Sequence, residues 1–223
     1  MALPVLHDYW RSSASYRVRI ALNLKGIAFD RVAVDLVAGE HREAAHTALN
    51  PQGLVPALNI DGHVLTQSLA ILDYLDETRP LPALLPSDPA DRAQVRRLAL
   101  AVACEIHPLS NLHALARVEA LAGPEARAGW NRDNLAAGLE ALDALLDHRG
   151  FTGRFCFGAA PGMADCVVIP QLYNAARWGV DFAHLPRLSA VARACAGHPA
   201  FVAAHPDRFD PSREARVIQG ERP

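Results

Sequence analysis

The chain has 223 residues, 51% of them hydrophobic, and a formal net charge of −2, enough length for one large core or two small ones. Near-neutral charge offers no broad electrostatic footprint for nucleic acid or an anionic membrane surface. No apolar run approaches the ~20 residues that span a bilayer, and the N-terminus lacks a secretory apolar stretch, so a soluble, cytoplasmic protein without nucleic-acid or membrane partners is expected. Cys104, Cys156, Cys166 and Cys195 lie far apart in apolar surroundings with no Cys-x-x-Cys pair, which reads as reduced, buried packing residues. The histidines show no zinc-type spacing, and no metal is expected.

A short apolar run, Val5–Tyr9, predicts the first strand. The stretch from Arg11 to Gly26 then predicts a helix: Tyr16, Ile20 and Leu24 recur at i, i+4 and i+8, and Val18, Ala21 and Leu22 widen the face. Lys25 and Gly26 suit its C-terminal end. Ser12 and Ser13 sit at the other end, where backbone N–H groups lack intrahelical partners and the dipole is positive. They either cap the helix or help to receive an anion.

Phe29–Val34 alternates as a second strand, and Glu40–Ala48 is weakly amphipathic, helix-compatible and partly irregular. Asn50-Pro51-Gln52-Gly53-Leu54-Val55-Pro56 is a loop by composition. Ala57–Ile60 and Val64–Leu65 flank Asp61-Gly62, a hairpin signal. A helix follows from Ser68, with Ile71, Leu72 and Leu75 on its apolar stripe. The order β-α-β-α-β-β-α implies a mixed four-stranded sheet, parallel across the first crossover and antiparallel in the hairpin. It reads as a thioredoxin-like domain without redox cysteines.

From Arg79 a proline-rich linker leads into purely helical sequence. Val95, Leu98, Ala99, Val102 and Ile106 make one stripe, and Leu135, Leu139, Leu142 and Leu146 another, with a break at Gly123-Pro124 between the two helices. Shorter helices are expected at Met163–Trp178 and Leu188–Ala196, completing a helical bundle. The expected division is an α/β domain over 1–82, an all-α domain over 88–210 and a polar, frayed tail over 211–223.

Two further points carry chemistry. If the Val55–Pro56 bond is cis, the chain turns sharply there and leaves the Val55 N–H and C=O at an edge able to pair with an extended peptide; the sequence leaves the isomer open. Gln67-Ser68 stands between strand and helix. Ser68 is either an ordinary cap or, with the Gln67 amide, part of a receptor for an α-carboxylate.

The stretches R-S-S-x-S-x-R-V-R-I-A-L-x-L-K-G, A-L-N-P-x-x-x-V-P-A-L and Q-S-L-A-I-L-D-Y-L together resemble the glutathione transferase superfamily, and within it the zeta class. I-H-P-L-S-N-L (Ile106–Leu112), M-A-D (Met163–Asp165) and V-I-P-Q-L-Y-N-A-A-R (Val168–Arg177) extend the likeness to the second half. The resemblance implies a thioredoxin-like domain that binds glutathione, a helical domain that supplies the second-substrate pocket, and a two-fold homodimer. By position, Ser12 would hydrogen-bond the glutathione sulfur, with Ser13, Ser15 and Arg17 alongside. His41 would lie near the glycine end, Val55 before Pro56 would pair with the cysteinyl backbone, and Gln67 and Ser68 would hold the γ-glutamyl carboxylate. His107, Asn111 and Leu112 would line the cleft, although His107 is equally readable as a structural helix residue.

The activity so implied is cis–trans isomerisation of an unsaturated diketo dicarboxylic acid, best known in the class for maleylacetoacetate. A thiol of pKa ~8.5 is mostly protonated at neutral pH, and a hydroxyl donor at a helix N-terminus favours its thiolate. That thiolate adds beside the cis double bond, the bond rotates, and its expulsion gives the trans isomer. Arg11 and Arg177 are the candidates for the substrate carboxylates, since guanidinium pairs bidentately with them; Arg11 is alternatively a surface or interface ion pair. Maleylpyruvate, small α-halo acids and a non-catalytic glutathione-binding role are the alternatives. The chain departs from the class pattern in Ala14, where cysteine is usual, and in Gly162, where Ser or Thr precedes Asp165. Glycine still caps acceptably there, and Asp165 is expected to accept from the Gly162 N–H in a structural role.

Overall fold

The computed structural model describes residues 2–212. They form two compact units, one running up to Leu84 and resuming at His198, the other Leu85–Gly197. The first contains β1 (Val5–Asp8), α1 (Ser13–Leu24), β2 (Asp30–Ala33), a 3-10 turn (Glu40–Arg42), α2 (Ala44–Leu49), β3 (Ala57–Ile60), β4 (His63–Thr66) and α3 (Ser68–Thr78). The sheet order is β2-β1-β3-β4. β1 runs parallel to β2 and antiparallel to β3, and β3 and β4 form the hairpin. Asp61 and Gly62 both take positive φ, 53° and 80°, as a two-residue hairpin turn matched to strand twist requires. The expected mixed sheet and element order are therefore present.

α1 buries Tyr16, Val18, Ile20, Ala21 and Leu22 and lies along α3, and two charged residues, Arg17 and Arg19, are buried with them. Apolar periodicity gave no warning of those two. Lys25 does more than suit the helix dipole: its ammonium donates to Asp76 and to the carbonyls of Arg79 and Pro82 at 2.6–2.7 Å. It thereby ties the end of α1 to the end of α3.

The second unit is α-helical. Asp88 caps α4 (Pro89–Leu100) by accepting from the Ala90 and Asp91 N–H groups, with Pro89 in the first turn. A π-helical turn (Ala101–Ile106) and a 3-10 turn (His107–Ser110) lead to α5 (Leu112–Leu145), whose two halves meet at Gly123, φ 86°, just before Pro124. α6 (Met163–Arg177) and α7 (Pro186–Ala196) complete it. Both predicted leucine and valine stripes are buried. Asp165 accepts from the Gly162 N–H at 2.9 Å and from the Cys156 N–H at 2.8 Å, the structural role expected of it.

Two expectations need correction. Cys104 is exposed, unlike the buried Cys156, Cys166 and Cys195, because it stands between Val102 and Ile106, which take the inward positions of the π-helical turn. The chain from His198 joins the first unit: α8 (Pro199–Ala204) and a 3-10 turn (Pro206–Arg208) bury Ala200, Phe201, Ala204 and Pro206, with α8 packed along α1. Segments this short carry no period from which a packing face can be read. The tail expected over 211–223 lies outside the described residues from 213 onward. Among the described residues, no single helix is long and apolar enough to cross a membrane, and no three metal-ligating side chains converge.

Candidate active site

Ser12 is the N-cap of α1: it has extended backbone, its N–H donates to the Tyr9 carbonyl at 2.9 Å, and its Oγ accepts from the Ser15 N–H at 3.2 Å. Capping uses the oxygen as an acceptor and leaves the hydroxyl proton to donate elsewhere. The two readings of Ser12 are thus compatible. The first turn of α1 is Ser13, Ala14 and Ser15, that of α3 is Ser68, Leu69 and Ala70, and neither contains an acidic residue. Both positive helix ends are therefore left without a resident carboxylate to neutralise them.

Arg17 links the two helix starts. It is buried in α1, and its guanidinium donates to Ser68 Oγ at 3.1 Å. Ser68, also buried, thus has its oxygen engaged while its own proton remains available as a donor. Gln67, immediately before α3, takes φ 65°, a left-handed conformation that costs a non-glycine residue on the order of 1–3 kcal/mol. Its amide donates to Gln52 at 2.8 Å, holding the Asn50–Pro56 loop beside the helix mouth.

The same loop is gripped from inside. Asn50 Nδ2 donates to the Leu54 carbonyl at 2.8 Å, and His46 Nε2 lies 2.9 Å from the same oxygen. The Val55–Pro56 bond that follows is cis, the isomer that the sequence left open. Val55 packs in a small apolar cluster with Tyr9 and Val34, against which Trp10 and Leu36 lie. The fold thereby brings the turn ahead of Ser12 next to the cis-proline loop. Neither His46 nor Asn50 was singled out from sequence; the only signal was Asn before Pro at the head of a loop.

Arg11 donates from Nε to the Tyr9 hydroxyl at 3.0 Å, and its guanidinium stacks 5.4 Å from the Trp10 ring. Among the described residues it forms no ion pair with a carboxylate. His41 lies in the 3-10 turn; its Nδ1 is buried without a hydrogen-bond partner among the described residues. Burial, then the nearby Arg42 and His46, hold its pKa below the ordinary value and keep the ring neutral. The remaining expected residues belong to the helical unit. His107 opens the 3-10 turn, Asn111 stands at the N-cap position of α5 with no side-chain capping bond among the described residues, and Leu112 is an exposed first residue of that helix. Arg177 is in the last turn of α6, 6.0 Å from the Tyr173 ring.

The first unit offers hydroxyl and N–H donors at two uncompensated helix starts. The fully buried Ser15 Oγ also lacks a hydrogen-bond partner among the described residues. Such a donor set suits a small ligand bearing a carboxylate and a thiolate, and so fits glutathione.

Known proteins resolve the family. A model of the glutathione S-transferase N-terminal domain matches residues 5–77, and a model of the C-terminal domain matches residues 113–203. Over 209 residues the chain is 57% identical to a maleylacetoacetate isomerase of Rhizobium meliloti (strain 1021), covering 93% of this chain and 98% of that protein. A holo maleyl pyruvate isomerase, described as a bacterial zeta-class glutathione S-transferase, shares the fold at TM-score 0.87 and 44% identity, over 91% of this chain and 96% of that one. A maleylacetoacetate isomerase from Anaeromyxobacter dehalogenans 2CP-1, solved with glutathione in its active site, does so at TM-score 0.83 and 46% identity, over 92% and 96%. The chain belongs to the glutathione S-transferase family, in its zeta class alongside the maleylacetoacetate isomerases.

Proposed function

We propose that the protein is a glutathione-dependent cis–trans isomerase that converts maleylacetoacetate to fumarylacetoacetate. The observation that carries this reading is 57% identity to a maleylacetoacetate isomerase along nearly the whole of both chains. It is supported by Ser12, cis Val55–Pro56 and Gln67-Ser68 being kept together in the first unit. When bound, glutathione supplies a thiolate nucleophile that adds beside the cis double bond and leaves after rotation.

In this reading the residues bind, orient and hold charge. Ser12 donates its hydroxyl proton toward the sulfur, and the start of α1, with Ser13 and Ser15, favours the ionised form. Ser68 and the Gln67 amide receive the γ-glutamyl carboxylate at the start of α3, with Arg17 fixing the Ser68 rotamer. Val55 pairs its backbone with the peptide, and His41 serves the glycine end. Arg11 and Arg177 bind the carboxylates of the diketo acid, and His107, Asn111 and Leu112 supply the second-substrate surface of the helical unit. Ala14 removes a second sulfur found at this position in the class and leaves the Ser12 donor in place. The working enzyme is a cytoplasmic homodimer.

Maleylpyruvate is the second reading, favoured by the 0.87 TM-score to a maleyl pyruvate isomerase. The higher identity lies with the maleylacetoacetate enzyme, and Leu112 and His113 add no firm cation for a shorter substrate. Side-by-side kcat/KM values with purified protein decide between them. The expected result is glutathione-dependent turnover with maleylacetoacetate preferred. Preference for maleylpyruvate would shift the assignment, dehalogenation of α-halo acids alone would replace it, and glutathione binding without turnover of any would make the protein a binding module.

A further inference from the structure

The most heavily constrained charged group in the first unit is Arg19, which the proposed chemistry does not use. Its side chain is fully buried, as is that of Asp8 at the end of β1. One amino group of the guanidinium reaches both Asp8 oxygens at 2.7 Å, the other donates to the Trp10 carbonyl at 2.8 Å, and Nε donates to the Ala204 carbonyl at 3.0 Å. The guanidinium lies 5.3 Å from the Tyr16 ring and 4.8 Å from that of Phe209. Arg31 closes the cluster, donating to Asp8 at 2.7 Å and lying 5.0 Å from the same Phe209 ring.

These partners are not spread evenly over the fold. Asp8 and Trp10 bracket the turn that leads into α1, and Ser12 hangs on the same turn through its N–H bond to the Tyr9 carbonyl. Ala204 and Phe209 belong to the C-terminal segment, which also meets α1 through Asn23 donating to the Ala200 carbonyl and the Tyr16–His205 ring contact. One rigid, planar group thus joins the Pro199–Phe209 segment to the carbonyl two residues before Ser12. A guanidinium buried this deeply has a fixed fork, so losing a partner on one side displaces it or leaves a donor unsatisfied on the other.

We propose that the C-terminal segment Pro199–Phe209 is a positioning element for the mouth of α1, with Arg19 as the positioning residue through which it fixes the Trp10 carbonyl and hence the Ser12 hydroxyl. This inference rests on the reading of Ser12 as the donor to the sulfur. Its consequence is that residues of the Pro199–Phe209 segment tune the thiol, because a donor displaced by a fraction of an ångström stabilises a thiolate less.

The test compares Phe209→Ala and Arg19→Lys with wild type in the full chain, and uses the exposed α8 residue Val202, as Val202→Ala, for a control. Hydrogen exchange over residues 9–16 is read without ligand, and the thiol pKa of bound glutathione is read from thiolate absorbance. The expected result for Phe209→Ala is faster exchange confined to that stretch, a bound-thiol pKa raised by about one unit, and kcat lowered about tenfold below that pKa. Glutathione affinity stays near wild type, and Val202→Ala behaves as wild type. Arg19→Lys, which keeps the charge and loses the fork, moves the same readouts further; if it does not fold, Phe209→Ala decides alone. Unchanged exchange and thiol pKa in Phe209→Ala, with only a lower melting temperature, would make the segment a structural brace and overturn the proposal. Absence of a bound thiolate in wild type would instead overturn the reading of Ser12, and exchange in the free protein would still decide whether the segment holds the turn.

Discussion

At the scale of single residues, the chain places its charges and hydroxyls where apolar patterning cannot reveal them. Asp165 is the clearest case. Burial raises its pKa from 3.8 to about 6, against the backbone N–H groups of Cys156 and Gly162, which favour the carboxylate. A carboxyl that holds its proton more tightly when folded contributes most stability at low pH and loses it as pH rises from the unfolded to the folded value. Wild type compared with Asp165→Asn is therefore expected to lose about 2 kcal/mol of relative stability between pH 4 and pH 6. Denaturant unfolding at both pH values checks this; a difference that grows with pH would reverse the sign. Arg17 and Ser12 show the limits of reading in another way. Arg17 donates to Ser68, a partner too distant in sequence for any local pattern to indicate. Ser12 caps α1 through its oxygen, which leaves its hydroxyl proton for the donor role proposed for it.

At the scale of elements, the legible parts are those specified by local chemistry. The Asp61-Gly62 turn, the Gly123-Pro124 break and the two apolar stripes follow from φ preferences and period, and each is where the pattern puts it. The Asn50–Pro56 loop was legible only as a loop. Its geometry depends on His46 and Asn50 converging on one carbonyl, an arrangement of α2 and the loop that composition does not encode. Asn50→Ala removes the bond to Leu54 and the acceptor for the Gln52 N–H, a loss of about 1–3 kcal/mol. Steady-state kinetics should show a raised KM for glutathione with kcat little changed, the mark of lost ground-state binding. A fall in kcat with KM unchanged would mean that the loop serves chemistry and not binding.

At the scale of the whole molecule, the N-terminal stretch of the first unit runs to Leu84 and the chain returns to that unit at His198, a return that the expected division into 1–82 and 88–210 did not include. The reason is physical: Arg19 is buried with a donor that only the Ala204 carbonyl satisfies among the described residues. A fragment ending at Leu84 would leave that donor and the α1 face under α8 exposed. Such a fragment is expected to lack a cooperative thermal transition by circular dichroism. Cooperative unfolding of the fragment would show that the C-terminal segment is dispensable for the fold.

The central claim is that a sulfur is held ionised by the Ser12 hydroxyl at the start of α1. The most direct measurement is an ultraviolet titration of the glutathione thiol bound to wild type and to Ser12→Ala. A bound thiol in wild type ionising well below the free value of ~8.5, and returning towards it in Ser12→Ala with glutathione still bound, is the predicted result. Equal thiol pKa values in the two proteins would contradict the account.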